Sequence, residues 1–262
     1  SITPVAPATH ISASDVNSIA KATTGTVAAT VTAGRAADLF ADLRDATSKD
    51  ALYLSTSIGT DTAAELLALD NKTSIIVNAS ATTGISGTAA ELKKVFASSG
   101  IKVDGDLVIT VTDTASAADV NAIAAKTTSA VTATIKDGSV AATLKALSDV
   151  TAGDVIRFKT TDKSVKASDL ADLATKLANP SSSFDKSKIE TITGTAAETG
   201  VGKAIPLALT ALGATTNAEV KITGNVPVAN INAILLATTG KVTATLEAGD
   251  AAAIKTAFAT MK

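Results

Sequence analysis

Cysteine and tryptophan are absent from the 262 residues, and histidine, methionine and tyrosine occur once each. Without cysteine there is no disulfide and no thiolate metal site. Aromatic residues make up 2% of the chain although apolar residues make up 46%. The core must therefore be assembled from Ala, Val, Leu and Ile, small side chains that suit thin, regular layers. A strong charge of one sign is also missing. The net charge of −2 gives no electrostatic footprint for nucleic acid or acidic lipid. No apolar run approaches the roughly 20 residues of a membrane-spanning helix, so neither nucleic-acid binding nor membrane insertion is expected. The first residue is Ser1, and no signal-peptide pattern follows it; this fits a processed N-terminus, a fragment, or export by an uncleaved C-terminal signal.

Catalytic machinery is equally sparse. The single histidine, His10, has no identifiable partner and reads as a solvated surface group. No P-loop, nucleophile elbow, zinc-protease motif or dinucleotide fingerprint is present. The expectation is a protein that is not an enzyme.

What is present is repetition. The stretch from Ala117 to Ile135 reads as a short amphipathic helix built around Asp119-Val120-Asn121, a polar turn, and a strand starting at Val131. Earlier, Asp15-Val16-Asn17 precedes a strand at Val27, and later Asn230-Ile231-Asn232 precedes one at Val242. The spacing is 12 residues each time (27 − 15, 131 − 119, 242 − 230). A longer period spans several such modules: Asp154 follows Asp50 by 104 residues (154 − 50), and Gly194-Thr-Ala-Ala-Glu198 follows Gly87-Thr-Ala-Ala-Glu91 by 107 (194 − 87). The extra residues fit an insertion near Asn179–Asp185. Long repeats at 1–104, 105–215 and a partial 216–262 would make one repeat domain.

Candidate strands are Ile2–Val5, Thr26–Thr32, Ala51–Ser57, Ser74–Ala79, Asp106–Thr112, Ala130–Lys136, Asp154–Lys159, Lys188–Thr193, Ala218–Thr223 and Lys241–Leu246. Each is followed by a helical stretch with apolar residues at i, i+3 and i+4. Thr62-x-x-Glu65, Thr88-x-x-Glu91, Thr195-x-x-Glu198 and Ser116-x-x-Asp119 have capping-box spacing, and Gly25, Gly100, Gly213 and Gly240 stand where helices should end. The strands alternate: Val131, Ala133 and Ile135 oppose Thr132 and Thr134, and Val242, Ala244 and Leu246 oppose Thr243 and Thr245. Barrel strands buried on both faces would read as continuous apolar runs. The alternation predicts an open right-handed α/β solenoid of about ten strand–helix units, with a parallel sheet on one side and helices on the other. Pro4 and Pro7 would blunt the first edge strand; no such guard stands near Lys241–Leu246, an edge available for end-to-end or lateral association with another copy.

Two surfaces could bind something. Thr-x-Thr pairs occur at Thr30/Thr32, Thr110/Thr112, Thr132/Thr134 and Thr243/Thr245; stacked on a flat sheet they would form a hydroxyl and methyl lattice able to match ice or a polysaccharide. Threonine is also simply a good strand former on a wetted face, and Tyr53, Arg157, Lys159 and Lys221 interrupt the lattice. Asp104-Gly105-Asp106 brings two carboxylates around a turn glycine. Calcium wants six to eight oxygens, so the pair is a metal candidate only with further ligands; otherwise no cofactor is expected. Asn71-Lys-Thr73 and Asn78-Ala-Ser80 are glycosylation sequons.

The phrases Gly-Thr-Ala-Ala-Glu, Asp-Val-Asn-x-Ile-Ala and Thr-Thr-Gly/Ser-x-Val-x-Ala-Thr resemble the Ala/Thr-rich repeats of very large secreted surface proteins of cyanobacteria and other Gram-negative bacteria, haemolysin-like or S-layer-like. The resemblance runs through nearly the whole chain. It implies an extracellular or cell-surface location, export by a type I system, and a structural, self-assembling or adhesive role, as in a surface layer, a fibre or an adhesin stalk. The Gly-Gly-x-Gly-x-Asp calcium repeats that accompany such proteins are not found in this sequence.

Overall fold

Hydroxyl caps set where the helices of this α/β protein begin, in a computed structural model that describes residues 9–213, 216–249 and 255. Ser12, Thr62, Thr88, Ser116 and Ser139 each accept a hydrogen bond from the amide three residues on, which opens helices α1 (Ala13–Ala22), α3 (Ala63–Asp70), α4 (Ala89–Ala97), α5 (Ala117–Ala124) and α6 (Val140–Ala146). Glu65 and Glu91 reach back to complete capping boxes, as their spacing predicts. The remaining helices among the described residues are α2 (Ala36–Asp42), α7 (Ala167–Lys176), α8 (Ala204–Leu212) and α9 (Val228–Ala237).

The chain divides into two compact units, Ser1–Thr134 and Ile135–Lys262. The N-terminal unit holds β1 (His10–Ile11), β2 (Ala28–Val31), β3 (Ala51–Tyr53), β4 (Gly59–Thr62), β5 (Val77–Asn78), β6 (Thr82–Gly87), β7 (Ile101–Lys102) and β8 (Val108–Ala115), and β9 (Val131–Ile135) begins in it. Its strands run in the orders β1-β2-β3, β9-β8-β6-β4 and β5-β7. The C-terminal unit holds β10 (Val155–Lys159), β11 (Ser164–Lys166), β12 (Ser183–Asp185), β13 (Thr191–Thr195), β14 (Glu219–Val226) and β15 (Val242–Leu246). There β10 pairs with β12, and a second sheet runs β11-β13-β14-β15. The registered pairings are parallel in both units.

The strand pattern is finer than its sequence suggests. The segments Ala51–Ser57, Ser74–Ala79 and Asp154–Lys159 lead not into a helix but into a second short strand, β4, β6 and β11 respectively, and that second strand runs into the helix. Two of these strands end at a hydroxyl cap, β4 on Thr62 and β6 just before Thr88, whereas β11 ends on Lys166, which makes no side-chain cap bond. Ile2–Val5 and the two prolines around it lie outside the described residues.

The sheets bury one face. Leu52, Ile85, Ile109, Val131 and Ala133 in the first unit, and Ile156, Ile192 and Val220 in the second, are almost entirely buried. The helices cover them with Val16, Leu66, Leu92 and Ile123 on one side of the boundary and with Leu170, Ile205 and Leu209 on the other. Aromatic side chains are few and tryptophan is absent, so each layer is thin. Polar side chains supplement it by bonding to backbone in neighbouring modules.

Three aspartates illustrate this. Asp61 Oδ1, Asp113 Oδ1 and Asp162 Oδ2 accept the first helical amide of α2, α4 and α6 (Ala36, Ala89 and Val140) at 3.1, 2.8 and 2.7 Å, from 25, 24 and 22 residues further along the chain. These amides are orphan donors of helix N-termini, and a carboxylate there is favoured by the helix dipole. Asp61 is the buried case, 1% exposed. Its oxygens also accept from Arg35 Nε at 3.0 Å and from the Thr82 hydroxyl at 2.7 Å, with Thr56 a further 2.9 Å on.

Threonines do the same at the other end of the strands. The Thr127-Thr128-Ser129 and Thr238-Thr239-Gly240 phrases form one construction. The first hydroxyl donates to the residue just before the previous strand (Thr127 to Leu107 O, 2.6 Å; Thr238 to Ala218 O, 2.7 Å) and accepts the amide two residues on. The second threonine's amide bonds Gly105 O or Thr216 O, both at 2.8 Å. Gly25, Gly100 and Gly240 therefore differ from the expected left-handed caps. Their amides are held by Thr23, Ser98 and Thr238, and their φ angles are not positive. Gly240 is glycine because a Cβ there would run into the Ala218 carbonyl. Gly213 does cap α8, at φ 124°.

The long period is repeated bond for bond. Thr47 N and Oγ1 donate to Asp50 Oδ2 at 2.7 and 3.2 Å, and Thr151 N and Oγ1 donate to Asp154 Oδ2 at 2.7 and 3.2 Å. Lys72 Nζ reaches the Arg44 and Ala46 carbonyls, and Lys176 Nζ reaches those of Ser148 and Val150.

Because Asp61 satisfies a helix amide, a hydroxyl and a guanidinium with little solvent to replace it, Asp61→Ala should lower stability by about 2–3 kcal/mol. Asp113→Ala, which removes one cap bond beside an intact capping box, should cost about 1 kcal/mol. Urea denaturation of the two variants checks both the sign and the order.

Candidate functional site

The acidic residues are placed where backbone needs them. Asp15, Glu65, Glu91, Asp119 and Asp169 sit in first helical turns, and Asp50 and Asp154 are buried in their turns. Among the described residues no three His, Cys, Asp or Glu side chains group closely enough to hold a metal ion. Asp104 and Asp106 are exposed. The carbonyls of this loop are already engaged, Gly105 O by Thr128 and Asp106 O by the Ser129 hydroxyl at 2.6 Å. His10 is exposed on β1.

The eight threonines of the Thr-x-Thr pairs are distributed over several sheets. Thr30 is buried between His10 and Tyr53 on the adjoining strands. Thr32, Thr110, Thr112, Thr243 and Thr245 are exposed, and Thr132 and Thr134 are half-buried. Thr110 faces Ser86, which faces Thr62, so a hydroxyl row does cross β4, β6 and β8. Thr243 faces Lys221 and Thr245 faces Asn225. On the neighbouring strands β8 and β9, Ile109 N bonds Ala130 O as Val220 N bonds Lys241 O in the pairing of Val220 with Val242, which sets Thr110 opposite Thr132.

A concavity lies instead on the outer face of the β11-β13-β14-β15 sheet. It is a groove of ≈ 580 Å³ lined by Lys166, Ser168, Thr193, Gly194, Thr195, Glu198, Lys221 and Thr223. Parallel register builds it: Lys166 faces Thr193, Thr193 faces Lys221, and Lys221 faces Thr243, with Thr195 opposite Thr223 one row on. The alternate residues Val165, Ile192 and Val220 point into the core, which forces the lysines and threonines outward. Lys221 Nζ lies 3.2 Å from Glu219 Oε2. Glu198 Oε2 accepts from Thr195 N at 2.7 Å and from its hydroxyl at 2.9 Å. Hydroxyls, methyls, lysine stems, two ammonium groups and one capping carboxylate are what this surface offers.

Of these residues the sequence had drawn notice to Lys221, as an interruption, and to Thr195 and Glu198, as a capping pair. Lys166, Thr193 and Thr223 were missed. The signal that could have found them is the alternation of Thr191-Ile-Thr-Gly-Thr195 beside Glu219-Val-Lys-Ile-Thr223, which puts Thr193 and Lys221 on one face.

Electrostatic displacement is seen at Glu91, Asp185 and Lys186. The Glu91 carboxyl is held below its ordinary value of 4.5, chiefly by the Thr88 amide and then by the Thr88 hydroxyl. Asp185 is lowered by the Ser187 amide and side chain, and burial pushes the Lys186 ammonium down as it lies 5.3 Å from the Phe184 ring centre. A lowered carboxyl stabilises the fold in full above its unfolded value, and the contribution is lost as pH falls through the folded value. An NMR titration of Glu91 should therefore show a midpoint below 4.5, and Thr88→Ala should move it back up.

Compared with protein-family models, with curated protein sequences and with solved structures, the chain matches none, and the likeness to secreted bacterial surface proteins rests on the repeated phrases themselves.

Proposed function

We propose that this chain is a non-enzymatic structural repeat protein of a bacterial cell surface, a segment of a surface layer, extracellular fibre or adhesin stalk. Its modules would continue as an open right-handed α/β solenoid that associates with further copies of itself. The observation that carries this reading is the state of β15. On β9, the strand that follows the equivalent helix, Val131, Ala133 and Ile135 are 0%, 1% and 2% exposed. On β15 the matching Val242, Ala244 and Leu246 are all half-exposed, and they line an apolar groove with Ile231 and Leu235. Among the described residues β15 has a strand partner on one side alone. A face with core composition and an unpaired strand edge is a template for another strand.

Repetition supports the mechanical part of the reading. Modules joined by the same backbone bonds gain stability from their neighbours, and Asp15, Glu65, Glu91, Asp119 and Asp169 stand in first helical turns. The test is light scattering with electron microscopy over a concentration series, with and without a chelator. Sheets or filaments that grow with concentration are expected, and Val242→Lys should disperse them. A monomer at every concentration would overturn self-association by this segment; a loss of assembly under chelator that Asp104→Asn with Asp106→Asn reproduces without chelator would place a cation at that loop.

A further inference from the structure

The two units carry copies of the same construction, so each is a control for the other. Lys166 and Thr62 both stand immediately before a helix, α7 and α3. Thr193-Gly-Thr-Ala-Ala-Glu198 repeats Ser86-Gly-Thr-Ala-Ala-Glu91. β14 and β8 are both eight residues long, with Lys221 and Thr110 third, Thr223 and Thr112 fifth, Gly224 and Asp113 sixth. The registers agree: Lys166, Thr193 and Lys221 form one row, and Thr62, Ser86 and Thr110 form the other.

Against that shared frame the differences converge on one place. Two neutral threonines become lysines, and Asp113, which closes on Ala89 N, becomes Gly224, a glycine at φ 89° beside Ala196. One change runs the other way: Val108, first in β8, becomes Glu219, which pairs with Lys221. Glu198 has its counterpart in Glu91 and alters nothing. Two cations gained and one anion lost outweigh one anion gained, so the groove of the second unit is the more positive by two charges. The loss of Asp113's counterpart also removes a carboxylate from its rim.

We infer that this groove binds an acidic polysaccharide, a hydroxylated chain bearing carboxylates, with Lys166 and Lys221 meeting the carboxylates and Thr193, Thr195 and Thr223 meeting ring hydroxyls. The lysine backbones stand two strands apart, about 10 Å, so they engage separate positions along a chain rather than one small anion. β13 is bonded on both sides, which leaves no backbone for an added peptide strand. No aromatic lines the groove, which removes the stacking platform that single-stranded nucleic acid uses. Thr methyls and lysine stems give the sugar ring an apolar floor.

Calorimetry at low salt with trigalacturonate, galacturonate and neutral maltotriose tests this. Trigalacturonate should bind, galacturonate more weakly, and maltotriose not measurably; added salt should weaken the first. The double variant Lys166→Thr, Lys221→Thr installs the residues that the first unit already carries, and should weaken trigalacturonate by about tenfold or more. In the unaltered protein, trigalacturonate should shift the amide signals of Thr193, Thr195 and Thr223 and leave those of Thr62, Ser86 and Thr110 in place. Any of the following overturns the proposal: no binding of trigalacturonate, equal binding of maltotriose, no gain of the trimer over galacturonate, equal shifts in the two rows, or a folded double variant that binds unchanged.

Discussion

The architecture depends on side chains that hydrogen-bond to the backbone of another module. A chain with so few aromatic residues builds thin apolar layers, and many of its strands are only two to five residues long. Short ladders leave amides and carbonyls at their ends, and buried backbone groups without partners are costly. Aspartate and threonine close these gaps across 20 to 29 residues of sequence. The hydroxyl of Thr73 shows the economy of the device: it donates to Leu52 O and accepts from Leu52 N, standing in for a missing strand residue. Packing and polar satisfaction are thus one problem here, solved by the same residues.

Much of this was legible in the sequence because it is local. Helix starts at Thr62, Thr88 and Ser116 followed from hydroxyl-to-carboxylate spacing within four residues, and the one-sided strands followed from alternation at Val131 and its neighbours. What was not legible is non-local. Asp61 and Asp113 read as ordinary polar residues, because nothing near them in the chain announces that a helix amide 25 or 24 residues earlier needs an acceptor. Gly240 read as a helix cap although its constraint is the Ala218 carbonyl on the neighbouring strand. The double strands were hidden because Gly59–Thr62 and Ser164–Lys166 are too short to show a period.

The candidate site divides along the same line. That threonines would face outward was readable; which of them meet was not, since parallel register is set by the lengths of intervening helices and turns. Those lengths put Lys221 rather than a second threonine beside Thr193. α4's counterpart is broken: after the capping box of Thr195 and Glu198, Ala196–Glu198 is a 3₁₀ turn, the chain passes through Thr199-Gly-Val-Gly202, and the helix proper starts at Ala204; glycine disfavours helix interiors.

The identical bonds around Asp50 and Asp154 have an evolutionary consequence. Two joints recur closely: beside the matching Asp50 and Asp154 turns, Lys72 and Lys176 reach the equivalent pairs of carbonyls in the preceding module, so these two joints present matching polar groups. Duplication of a whole module presents matching surfaces at both seams and needs no compensating substitutions. Point changes on the outward face leave the seams untouched. Lineages of such chains can vary in length and in surface chemistry independently.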